Sequence, residues 1–174
     1  MKTSESLSIF IVDDDPLFTA SLKDQVKKMF KFEINIRTFS TGEECLKNFE
    51  YHPDIIILDY FLNSTSPNAM DGLKVLKKIM ELNPETKVIM LSAQDKMEVA
   101  VNLIKFGAYD YIIKNDNVFN RLKLVISNAA NSIKVAKELK NYKLMGKIAI
   151  GIFVGMIVIC SIVQLFFPEI FIKD

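Results

Sequence analysis

The chain is sparing in cysteine, in histidine and in any excess of one charge, and each shortage removes a class of function. Its two cysteines, Cys45 and Cys160, fall in an expected helix and in an apolar C-terminal stretch. That excludes a disulfide framework or a cysteine-based metal cluster and fits a reducing cytoplasm. The single histidine, His52, stands next to Pro53 and reads as a turn residue. Lys and Arg number 22 against 21 Asp and Glu. A near-neutral balance of this kind argues against a nucleic-acid-binding protein, whose phosphate contacts need a basic surface. The start, Met1 to Ser6, is polar and lacks the apolar core of a signal peptide. Asn63-Ser64-Thr65 spells a glycosylation sequon that a cytoplasmic loop would leave idle.

What charge there is falls unevenly. Acidic residues concentrate before residue 100, whereas Lys134, Lys137, Lys140, Lys143 and Lys147 lead into a stretch from Ile148 to Phe167 without a charged residue. At ~1.5 Å per helical residue this stretch spans about 30 Å, the thickness of a bilayer core. Its aliphatic and aromatic residues each favour insertion by roughly 0.3 to 0.6 kcal/mol, enough together to outweigh Ser161, Gln164 and the glycines. A buried core helix would need a domain large enough to surround it, and the length suits one globular domain with a remainder too short for a second core. A membrane-spanning helix is therefore expected. The lysines before it predict that the preceding domain stays cytoplasmic, with only Pro168 to Asp174 across the membrane. Gly151-Ile152-Phe153-Val154-Gly155 matches the small-residue spacing for close helix contact, which is compatible with a homodimer.

Before that stretch, strand and helix signals alternate five times. Leu7 to Val12 is strand-like and ends in Asp13, Asp14, Asp15 and Pro16, with Asp15 a cap and Pro16 suited to a first helical turn. Leu17, Leu22, Val26 and Met29 or Phe30 recur at helical spacing over Leu17 to Lys31. Ile34 to Phe39 alternates apolar with polar and suits a strand near the sheet edge. Ser40-Thr41-Gly42-Glu43-Glu44 opens a short helix. The unbroken run Ile55, Ile56, Ile57, Leu58 suits a strand buried on both faces, delivering Asp59 at its end. A long polar loop runs from Tyr60 to Met70. Asp71 then caps a helix carrying Leu73, Val75, Leu76 and Ile79 inward until Asn83-Pro84. Val88 to Leu91 is a buried strand ending at Ser92, and a helix over Val99 to Phe106 stops at Gly107. Tyr109 to Ile113 is a fifth strand ending at Lys114. The last helix starts near Asn117 with an inward stripe of Val118, Leu122, Val125 or Ile126, Ala129 and Ile133. Phe106 and Tyr109 are expected as core aromatics.

The pattern predicts an α/β fold: an open parallel sheet with helices on both faces and right-handed crossovers. In such a sheet ligands bind beyond the carboxyl ends of the strands. Asp13, Asp14, Asp59, Ser92 and Lys114 each follow an expected strand and so converge there. Carboxylates gathered at one edge repel one another, which a hard divalent cation with oxygen ligands such as Mg²⁺ resolves. Lys114 adds a point charge for an anion, and Ser92 a hydroxyl for a phosphoryl oxygen. The set suits phosphoryl transfer, with Asp59 as nucleophile forming an aspartyl phosphate.

The segments Ile9 to Pro16, Pro53 to Asp59, Asp71-Gly72, Leu91-Ser92-Ala93 and Tyr111-Ile112-Ile113-Lys114 together resemble the receiver domain of bacterial two-component response regulators. The resemblance covers roughly residues 7 to 135, with the motifs in the family's order. It implies a doubly wound, flavodoxin-like sheet of order 2-1-3-4-5 for the receiver (1–135), after which the residues themselves give a basic helical stalk (136–147), a transmembrane helix (148–167) and a short tail (168–174). It further implies that Asp59 accepts phosphate from a histidine kinase or histidine phosphotransfer protein. Asp13, Asp14, Asp59 and the backbone carbonyl of Phe61 would hold Mg²⁺. Ser92 and Lys114 would bind the phosphoryl group, and Ser92 and Tyr111 would act as the switch. His52 is not an evident phosphodonor.

Two departures stand out. Asn115 occupies the place where the family usually has Pro after the Lys, commonly with a cis bond, and the Tyr60 to Met70 loop is several residues longer than usual. Phe61 is bulky at a position that, by resemblance, governs water access, so slow self-dephosphorylation is expected and true enzymatic turnover is not. No output domain follows the receiver within the sequence, so signalling would pass through protein contacts or through competition for a shared kinase. A Mg²⁺-dependent phosphohydrolase would need a second acid close after the nucleophile, where Tyr60 and Phe61 stand. A phosphorylation-independent membrane scaffold is the remaining alternative.

Overall fold

Parallel strands buried on both faces need apolar residues at nearly every position, and the three central runs supply them. The computed structural model describes residues 6–30, 33–62, 70–94 and 96–166, with side chains described to residue 161. The elements follow in the order β1 (Leu7–Val12), α1 (Pro16–Met29), β2 (Ile34–Phe39), α2 (Gly42–Lys47), a 3-10 turn (Phe49–Tyr51), β3 (Ile55–Asp59), α3 (Gly72–Leu82), β4 (Lys87–Ser92), α4 (Met97–Lys105), β5 (Asp110–Ile113) and α5 (Val118–Phe166). The strands pair in the order β2-β1-β3-β4-β5, every neighbouring pair parallel. This is the doubly wound, flavodoxin-like order expected, with β2 at an edge.

Side chains alternate across the sheet. Phe10 and Val12 of β1, Ile56 and Leu58 of β3, and Val88 and Met90 of β4 share one core with Cys45, Val75, Leu76, Ile79 and Leu103 of α2, α3 and α4. The opposite positions, Ile9, Ile11, Ile55, Ile57 and Ile89, are equally inaccessible, as are Leu22 and Val26 of α1 and Leu122, Ile126 and Ala129 of α5. Each of the Val, Leu, Ile, Phe and Met side chains among them contributes roughly 1.5 to 3 kcal/mol when fully buried. Burial also pushes the Cys45 thiol up to about 12, which leaves it protonated and unreactive at neutral pH.

Helix starts follow the cap chemistry in the sequence. Asp15 accepts from the backbone N–H of Leu17 and Phe18 ahead of Pro16. Thr41 accepts from Glu44 N–H, while Glu44 reaches back to Ser40 N–H. Asp71 accepts from Lys74 N–H. Gly107 ends α4 at φ 98°, and His52 takes a left-handed turn conformation after the 3-10 segment.

Three expectations need correction. Leu17 belongs to the helical stripe by spacing, yet it is 82% exposed, in the first turn of α1 directly after Pro16. Phe106 is not core: it lies at the exit of α4, 43% exposed, with the Lys77 ammonium 4.0 Å from its ring centre. Tyr109 is only half-buried, beneath Lys87. The Lys114-Asn115 peptide bond is trans, as are all described peptide bonds. The first helix stops at Met29 with Phe30 already extended, short of the expected Lys31; Lys31 itself, the Asn63 to Thr65 sequon, Phe167 and the tail from Pro168 to Asp174 lie outside the described residues.

The chain divides into two units, Met1–Asn131 and Ser132–Asp174. Within α5 one stretch is long and apolar enough to cross a membrane, and none of it is buried by the protein.

Candidate functional site

The chain leaves β1 toward β2 on one side, and β3 lies on its other side, so a crevice opens at the carboxyl ends of β1 and β3. Asp13 follows the last residue of β1, Asp59 is the last residue of β3, Ser92 ends β4 and Lys114 follows β5. The expected residues therefore do come together. Carboxylate oxygens of Asp13, Asp14 and Asp59 lie within 4.8 Å of one another. The Lys114 ammonium bridges two of them, 2.7 Å from Asp13 Oδ2 and 3.0 Å from Asp59 Oδ2. Asp13 and Asp59 are almost wholly buried and Asp14 is partly exposed.

Three carboxylates against one ammonium leave the site two charges short of neutrality when all are ionised. Burial raises the Asp59 carboxyl above the ordinary range, assisted by repulsion from Asp13, although Lys114 and a backbone hydrogen bond from Phe61 oppose the shift. Burial presses the other way on Lys114, but its hydrogen bond to Asp13 and its attraction to both carboxylates prevail and raise its pKa. The donor set is all oxygen, and opposite ligands of Mg²⁺ at ~2.1 Å stand about 4.2 Å apart. Small side-chain rotations would bring three oxygens within 4.8 Å to that spacing, and a dication supplies the missing charge. The acidic pocket thus fits Mg²⁺ in both donor chemistry and charge.

Ser92 is fully buried, and its Oγ accepts from Gln94 N–H at 3.1 Å. The backbone N–H of Lys114 donates to the Ser92 carbonyl at 2.7 Å, which ties the ends of β4 and β5 together. Tyr111 packs against the α2–α4 side of the core, and its hydroxyl donates to the Gln94 carbonyl. Phe61 is 38% exposed, its ring edge-on to Tyr60.

Other contributors carry no sequence signature. Phe18 lies under the Lys114 ammonium, 4.7 Å from it, and stacks with Phe119 of α5. Their role follows only once α1 and α5 are seen to flank the same strand ends. Glu43 accepts from Met70 N–H at 2.7 Å and so anchors the end of the long loop to α2. A Cβ on Gly72 would stand 2.3 Å from the Asp59 carbonyl oxygen, so only glycine allows α3 to start this close to the site.

A family profile described as the response regulator receiver domain matches residues 9–127. The chain belongs to the response regulator receiver family. This receiver is 39% identical over 109 residues to the chemotaxis protein CheY of Listeria monocytogenes, covering 62% of the chain and 86% of CheY. It is 30% identical over 139 residues to the regulatory protein AtoC of Escherichia coli, and there the match covers 76% of this chain but only 27% of AtoC. Among solved structures it is similar to the receiver domain of NtrX from Brucella abortus, at 31% identity and a TM-score of 0.61, covering 70% of this chain and 96% of that one. Receivers of this family work with histidine kinases or phosphotransfer proteins.

Proposed function

We propose that this receiver is a membrane-anchored phosphoacceptor in which Asp59 takes a phosphoryl group from a phosphohistidine of a kinase or phosphotransfer protein. The observation that carries the reading is the Lys114 ammonium held between Asp13 and Asp59 at the strand ends. Asp59 is thereby oriented beside a fixed positive charge and two further carboxylates. One Asp59 oxygen forms a bond to phosphorus as the phosphorus–nitrogen bond of the donor breaks. The freed imidazole keeps that electron pair and is protonated from solvent. Lys114, leaving its contact with Asp59, and the Ser92 hydroxyl then pair with phosphoryl oxygens. Asp13, Asp14, Asp59 and the Phe61 carbonyl would hold Mg²⁺, which when bound would supply charge neutralisation for the phosphoryl group.

The Tyr111 hydroxyl bond to the Gln94 carbonyl supports a switch role, since it joins β5 to the loop that follows Ser92. The apolar, unburied stretch of α5 supports a single membrane span at the inner face of a cell membrane, with the lysine-rich approach keeping the receiver cytoplasmic. Signalling then passes through protein contacts rather than through nucleic acid.

Incubation of the full chain with Mg²⁺ and a small phosphodonor is expected to label it stoichiometrically, and Asp59→Asn to abolish the label. Many turnovers per chain would instead identify a phosphohydrolase, and no labelling a scaffold. Self-dephosphorylation is expected to be slow, because Phe61 is bulky at a position that, by the family resemblance, governs water access. Phe61→Asn should shorten the lifetime of the label in a decay assay, and an unchanged lifetime would refute that role.

A further inference from the structure

The stalk before the span carries a pattern that one chain does not use. Counting in sevens from Val135, the inner positions of a two-stranded coil fall on Val135, Leu139, Tyr142, Gly146, Ala149 and Phe153. Val135, Leu139 and Tyr142 are 55%, 55% and 72% exposed, although they share a helix face. Gly146 has nothing within 4 Å of where a Cβ would stand, so a second backbone can approach it. Lys134, Lys137, Lys140 and Lys147 all take outer positions of the same repeat. The fifth lysine, Lys143, takes a flanking position. So does Glu138, the sole carboxylate within the 49 residues of α5. The two are five residues apart, the separation at which flanking positions of parallel partner helices face each other. Among the described residues no intrachain salt bridge engages Glu138.

From this charge complementarity we infer that the stalk pairs with a second copy of this chain as a parallel coil, Glu138 of each copy facing Lys143 of the other. The parallel sense rests on the membrane-anchored reading, since two copies inserted the same way present their stalks side by side and at high effective concentration. Gly151 and Gly155 fall at outer positions of the repeat, so this seam is distinct from their small-residue spacing.

The test is cross-linking of the full chain in membranes of expressing cells, on a Cys160→Ser background, with a short bis-maleimide. Leu139→Cys and Tyr142→Cys are expected to cross-link several-fold more than Lys137→Cys and Lys140→Cys. On the Leu139→Cys chain, Glu138→Lys should lower the yield and adding Lys143→Glu should restore it. Equal yields at all four positions, a maximum at the lysine positions, no cross-linking, or failure of the charge swap to restore it would each overturn the pairing. Alkaline carbonate extraction of the same samples separates the two readings. A chain that pellets without the periodic pattern keeps its anchor and loses the coil, whereas a chain that is extracted yet shows the pattern keeps the coil and loses the anchor.

Discussion

Lys114→Ala is expected to destabilise the metal-free chain by about 2 to 4 kcal/mol at neutral pH, because it strips the counter-ion from two buried carboxylates. The deficit should shrink as pH falls. Asp59 already titrates above the ordinary carboxylate range, chiefly because it is buried, and Lys114 is the main influence holding it down. A carboxyl whose folded pKa is raised favours folding while protonated and costs stability as pH rises through that folded value. Removing Lys114 enlarges this cost, so variant and wild type should lie closest in acid and diverge toward pH 7. The raised pKa of Lys114 itself adds stability that is complete below 10.5 and fades only as pH climbs through the folded value. Mg²⁺ should rescue the variant more than the wild type, since it replaces the missing charge without competing with an ammonium. Labelling by a small phosphodonor should nonetheless fall by about 10²- to 10³-fold even at saturating Mg²⁺, the usual effect of losing one charge-stabilising donor. Thermal melts across pH with and without Mg²⁺, beside labelling rates, check both halves. An unchanged rate would mean that Lys114 is structural only.

Gly72→Ala should produce the second large effect, and by a steric route. The added methyl would meet the Asp59 carbonyl oxygen at 2.3 Å and the Tyr60 Cα at 2.8 Å, and both are backbone atoms that cannot rotate aside. Gly72 N–H also donates to the Tyr60 carbonyl at 3.1 Å, so the start of α3 cannot retreat without losing that bond. A destabilisation of about 1 to 3 kcal/mol is expected from overpacking. Displacement of Asp59 by a fraction of an ångström to an ångström should slow labelling by up to about 10²-fold. Denaturant unfolding of the full chain in mild detergent, with labelling rates at saturating Mg²⁺, would detect both. A variant that unfolds like wild type would show that the junction of β3 and α3 yields more readily than its geometry suggests.

The sheet was legible in the sequence because strands buried on both faces leave unbroken apolar runs, and the run Ile55 to Leu58 is short, largely β-branched and preceded by the turn signal Pro53-Asp54. The site was legible for a related reason: in a parallel sheet every strand delivers its next residue to the same end, so Asp13, Asp59, Ser92 and Lys114 could be gathered without coordinates. What the sequence could not yield was anything depending on where an element ends relative to its neighbours. Leu17 and Phe106 have helical spacing, yet each stands at an end of its helix and faces solvent. The Gln94 carbonyl that receives the Tyr111 hydroxyl is a backbone group, which any residue would offer equally. The Phe18 ring beneath Lys114 depends on the angle at which α1 leaves β1. Asp71-Gly72 could be read as a helix start, while the closeness that makes the glycine necessary comes from β3.

Cys45 gives the receiver a built-in reporter. Its thiol is sealed in the core shared by α2, α3 and the sheet and is held protonated at neutral pH, so a thiol reagent can reach it only when that core opens. With Cys160 replaced by Ser, the modification rate of the folded chain becomes a measure of opening free energy taken without denaturant. Mg²⁺ or a phosphoryl group that tightens the strand ends would register there as a slower rate, at a position that touches neither.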